Sequence, residues 1–278
     1  MPEVAIAMAS YPDEAGRETA PRAGFALVDG ALERLRAHPL VPLALSAATS
    51  VPLAILVLAW FQLARRELPA WIVPHRATAQ QAVCVAVACV LPLRHLAQHA
   101  AIAAVHPAEA VARTRILPAL STGAIRGLAL SMGLLFFAIP GIVAGVALAL
   151  APALGALEGQ YGERALRRSA WLVEHVVGSL AGVAFAYLVL FALVAANLHL
   201  GLPWVLGLVE SFAGHELADL RAAISLTRPA YLAALAAASW VALDPLVTLV
   251  GAELSIDARV RGEGLDLARR LARPGGAA

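Results

Sequence analysis

Asp244 is the one carboxylate that falls near the middle of a long apolar run, and Pro245 follows it directly. A charge at such a depth costs about 2.5 kcal/mol or more unless it is paired, hydrated or protonated. Two readings follow. Asp244 relays protons or contacts a substrate, or it accepts backbone amides at a helix break beside the proline. A second group, Glu158, Glu163, Arg164, Arg167 and Arg168, lies where an apolar run gives way to a polar segment. Guanidinium forks match phosphate oxygens, which makes these arginines a candidate clamp for an acidic lipid head group. The competing reading is anchoring at the membrane surface with local ion pairing. His95 and His99 are one turn apart, with His106 nearby, a spacing that can serve a metal. His-Glu-x-x-His is absent, however, and no acidic or cysteine partner follows at ligand spacing. They read as interfacial histidines, and neither a metal nor a cofactor is expected. A chain without lysine has no phosphate-binding Gly-x-x-x-x-Gly-Lys loop, and no Gly-x-Ser-x-Gly elbow occurs. Nucleotide hydrolysis and serine-esterase chemistry lose their usual support, so no catalytic residue is assigned and the chain does not read as an enzyme.

These residues need elements to hold them, and composition says in what solvent. Of 278 residues 60% are hydrophobic and 14% charged, against roughly 45–50% and about a quarter in soluble domains. The mean hydropathy is +0.76, and several runs reach the ~20 residues that cross a hydrocarbon layer. The expected fold is an all-α, polytopic transmembrane bundle of about six spans plus amphipathic surface helices. Spans are predicted at 39–63, 77–96, 123–139, 141–157, 176–198 and 230–254, within a membrane domain covering 24–258. Residues 1–23 lack apolar periodicity and are expected to be a disordered tail; 259–278 read as a charged tail. Phe25, Val28, Leu32 and Leu35 recur at helical spacing, predicting a helix on the membrane surface, and 107–121 reads as another. The third and fourth spans are broken only by Pro140 and Gly141, the punctuation of a tight hairpin. Between 199 and 229 an outer connection with a short amphipathic piece, 204–212, is expected.

With the N-terminus inside, sixteen of the twenty-one arginines fall on inner segments. That imbalance places both termini in the cytoplasm. The acidic start gives no basic lead into a cleavable apolar segment, so no secretory signal is expected. Arginine without lysine, together with abundant alanine, suggests a GC-rich bacterial genome and hence an inner membrane. A net charge of +2 supplies no basic stripe for nucleic acid; the expected partners are membrane lipid and a membrane protein. Cys84 and Cys89, five apart, face different ways and read as unpaired packing residues. Gly-x-x-x-Gly pairs at 123/127, 141/145, 155/159 and 178/182 read as close helix contacts within one subunit.

Two stretches carry a resemblance. Ile139-Pro140-Gly141-Ile142 leads through Ala151-Pro152 to Leu157-Glu158-Gly159, then to the helix from Glu163 through Ser169 to Glu174. Asp244-Pro245 is followed by Ile256-Asp257-Ala258-Arg259. Together they resemble the membrane domain of glycerophosphodiester phosphodiesterases and its stand-alone six-helix bacterial relatives, although Ile256 stands where that group usually has tyrosine. The resemblance implies a fold, a membrane location and Pro140, Gly141, Ser169, Asp257 and Arg259 as motif residues, without substrate or catalytic residues. The expected function is an accessory or scaffold component of an inner-membrane assembly; the alternatives are a carrier or binder of a lipid or amphiphile and an intramembrane enzyme.

Overall fold

The computed structural model describes residues 24–64, 73–107, 110, 115–136, 145–213 and 217–263, with the backbone alone for 131–136 and 263. The predicted tail 1–23, the Pro140-Gly141 turn and the tail beyond 263 lie outside the described residues. Every regular element described is helical: α1 (Gly24–Ala37), α2 (Leu40–Ala64), a 3-10 turn (Val73–His75), α3 (Arg76–Val105), α4 (Ile116–Phe136), α5 (Ala151–Glu158), α6 (Gly162–His175), α7 (Val177–Ala213), α8 (Ala218–Ala223) and α9 (Pro229–Glu263).

Four helical stretches are long and apolar enough to cross a membrane, Leu40–Ala64, Val73–Val105, Val177–Phe212 and Pro229–Gly262, and they mark the chain as a membrane protein. Ile116–Leu130 and Gly145–Glu158 are shorter apolar stretches. The helices overrun several predicted limits. α3 passes through Arg94 and His95 and ends at Val105, with Arg94 paired inside the fold to Asp244. α4 begins at Ile116, inside the segment expected to be a surface helix. α7 runs unbroken for 37 residues through Pro203, replacing the expected connection after 198. Proline removes one backbone hydrogen bond there, and His199 Nδ1 bonds Tyr231 Oη at 2.7 Å, fastening α7 to the start of α9. The predicted 141–157 span is interrupted by a turn at 148–150. Ser169 satisfies that break: its Oγ donates to the Ala147 carbonyl at 2.7 Å and accepts the Leu150 amide at 3.2 Å.

α9 is the hub, touching α1, α2, α3, α5, α6 and α7. Most of its second half is buried, from Leu243 and Leu246 through Leu249, Val250 and Ala252 to Leu254 and Ala258, with Val247 left exposed. Any polar group on that stretch therefore needs a partner in the protein. α1 packs more deeply than a surface helix. Leu27 and Ala31 are fully buried and Val28 nearly so, while Phe25 is exposed, so the buried stripe is rotated from the one read in sequence. Small residues cause this: a Cβ on Gly24 would meet Gly182 Cα at 2.9 Å, and that contact seats α1 against α7. Cys84 and Cys89 are both exposed rather than packed; on a membrane helix the outer surface is as apolar as a core, and a cysteine serves on either.

Candidate functional site

The site is built around Asp244, which is buried. Ser46 and Ser50, one turn apart on α2, donate to its Oδ2 at 2.6 and 2.7 Å. Arg94 of α3 pairs with Oδ1 through Nη2 and donates from Nε to Ser50 Oγ at 3.3 Å. The Arg94 guanidinium also lies 4.8 Å from the centre of the Trp240 ring, which adds a cation–π contact. Both carboxylate oxygens are thus engaged, and Asp244 of α9 is held by two other helices at once. Such an arrangement suits a fixed charge rather than a group that must turn to relay protons.

A hydrogen-bond chain leads away from this pair. Thr248 Oγ1 donates to the Asp244 carbonyl at 3.0 Å, Gln98 Nε2 donates to Thr248 Oγ1 at 3.4 Å, and Arg126 Nη1 donates to Gln98 Oε1 at 3.2 Å. Arg126 Nε is buried and has no hydrogen-bond partner among the described residues. Beside the chain lies a cavity of about 240 Å³ between α3, α4, α5, α7 and α9. Gln98, Arg126, Thr248 and Tyr187 supply its polar lining; Ile102, Leu180, Val183, Leu246 and Leu254 are among its apolar walls.

His95, His99 and His106 are buried within the protein. His99 Nε2 lies 3.2 Å from Tyr161 Oη with the rings stacked. Gly123 and Gly155 let neighbouring helices reach these imidazoles, since a Cβ at either would come within 2.7 Å of His95 Cβ or 2.8 Å of His99 Cδ2. Among the described residues no three His, Cys, Asp or Glu side chains gather as a metal site.

The polar group after α5 disperses. Glu158 faces Arg168 Nε at 3.5 Å and Arg259 Nε at 3.2 Å, bridging α5, α6 and α9. Arg167 pairs with Glu163 on the exposed face of α6, and Arg164 is exposed. Arg168 is thus engaged inside the fold, while Arg164 and Arg167 are exposed. Asp257 accepts from Arg261 Nε at 2.8 Å, and Arg261 reaches Ser179 Oγ at 3.0 Å, tying α9 to α7.

Sequence reasoning passed over Arg94, Arg126, Ser46, Ser50 and the fully buried Glu253, which pairs with Arg34 of α1. A signal was present for the serines, whose i, i+4 spacing in an apolar helix offers two hydroxyls to one face. For the arginines, the premature span limits at 96 and 123 assigned them to the membrane edge. No family model matches the chain, and neither a curated protein nor a solved structure matches it.

Proposed function

We propose that the chain is a binder or carrier of a lipid or other amphiphile, working from this polar site within the membrane. The observation that carries the reading is the cavity that joins an apolar wall to the polar edge of Gln98, Arg126 and Thr248. Apolar pockets with a few convergent polar groups are where amphiphilic ligands are held and oriented. In this reading the chain crosses a bacterial inner membrane six times, α4 and the stretch 145–158 completing the four long helices, with both termini cytoplasmic. The likeness to the phosphodiesterase membrane domain is compatible with that layout and assigns no chemistry. His95, His99 and Asp244 do not line this cavity, so it does not support the intramembrane-enzyme reading.

The accessory or scaffold reading keeps one specific observation in its favour. Beyond Pro203, α7 exposes Trp204 and Phe212 at 81% and 86%, an apolar face that a neighbouring membrane protein would cover. Native mass spectrometry of the full chain released from nanodiscs separates the two. The carrier reading expects one defined lipid per chain, lost when Ala184→Trp fills the cavity mouth on α7. A stoichiometric protein partner with no retained lipid would replace it with the scaffold.

A further inference from the structure

We propose that Arg126 is the anion-binding group of the cavity, and that the ligand is an amphiphile whose head carries a carboxylate or phosphate oxyanion while an acyl chain fills the apolar end. This rests on the reading of the cavity as an amphiphile site. The charges point to it first. Among the described residues this polar layer holds two guanidinium groups, Arg94 and Arg126, and one carboxylate, Asp244. Asp244 is spoken for by Arg94, Ser46 and Ser50, so the pair is closed and the second guanidinium carries the layer's remaining positive charge. A charge removed from water requires an opposite charge or several hydrogen bonds to remain ionised.

The donors point the same way. A guanidinium has five N–H groups in a fixed fork that matches carboxylate and phosphate oxygens. Gln98 takes one of them and fixes the plane of the group, and Nε is buried without a partner among the described residues. Tyr187, which also lines the cavity, offers a hydroxyl to the same ligand. The rest of the wall is apolar, Val183, Leu180 and Leu254 among it. A head bound at Arg126 therefore lays its chain along these residues, and the partial exposure of Ala184 leaves a side opening for a tail that exceeds the cavity.

The test measures binding of oleate, 1-oleoyl-lysophosphatidate and neutral monoolein to the full chain in phosphatidylcholine nanodiscs, with inorganic phosphate as a soluble probe. A charge-assisted pair predicts that one or both anionic amphiphiles bind roughly tenfold or more tightly than monoolein. Arg126→Gln should abolish that preference and Arg126→Lys should restore part of it, with helical circular dichroism and a monodisperse elution profile confirming folded protein. Ala184→Trp should weaken all three amphiphiles. Equal binding of oleate, lysophosphatidate and monoolein to the wild type would overturn the anion site while leaving an amphiphile site standing, as would an unchanged preference in folded Arg126→Gln. Binding of phosphate with no amphiphile bound would overturn the amphiphile reading itself.

Discussion

Replacing Asp244 by asparagine keeps the side-chain volume and removes the charge that three donors share. The carboxylate accepts Ser46, Ser50 and Arg94, and an amide can present only one oxygen, turning its NH₂ toward either the hydroxyls or the guanidinium. Breaking a buried ion pair by removing one partner costs about 3–5 kcal/mol, because the other charge is left behind. Side-chain hydrogen bonds measured inside membrane proteins average only about 0.6 kcal/mol each, so three of them set a floor near 2 kcal/mol. Asp244→Asn should therefore lose about 2–5 kcal/mol, measured by denaturant titration in bicelles followed by far-UV circular dichroism. Removing both charges, with Asp244→Leu and Arg94→Met together, should recover much of the loss, since no uncompensated ion remains. The reasoning fails if Asp244→Asn unfolds within about 0.5 kcal/mol of the wild type, the range of an ordinary surface change. It fails equally if the double variant loses the full sum of the two single losses.

Other consequences are open to the same assay. Ser169→Ala strands the Ala147 carbonyl and the Leu150 amide, and should cost about 1–3 kcal/mol. Gly155→Ala drives a methyl group into His99 and should cost about 1–3 kcal/mol by overpacking, whereas Gly178→Ala, with nothing within 4 Å of the new Cβ, should cause no loss. Arg167→Ala removes an exposed pair on α6 and should leave the unfolding midpoint unchanged within error.

The helical class and membrane setting were legible because a bilayer demands long apolar runs, and such runs survive in sequence whatever their partners. The partners themselves were not. Asp244 stood out because a lone carboxylate in an apolar run is conspicuous, yet its role depended on Ser46, Ser50 and Arg94, which lie on two other helices far away in sequence. Arg94 and Arg126 were hidden because the predicted spans, 77–96 and 123–139, put each within three residues of a span end. A helix can carry an arginine through the apolar region when another helix supplies the counter-group, and hydropathy along one chain contains no term for that. Pro245 misled in the opposite sense: it sits inside a continuous helix, so the break offered for Asp244 has no place there. Residues 164, 167 and 168 share one face of α6 by spacing, but their partners differ: Arg168 turns to Glu158, Arg167 to Glu163, and Arg164 is exposed.

The two exposed cysteines give α3 a built-in depth gauge. Cys84 and Cys89 are the chain's full complement of thiols, and both lie on the outside of the same helix. Five residues separate them by about 7.5 Å along the helix axis. Spin labels can be attached there without removing any other thiol, and their relaxation by oxygen and by a water-soluble nickel chelate reports how far each sits from the aqueous phase. Two depths on one rigid rod fix its inclination and the level of the bilayer to which Arg94 rises, five residues further along.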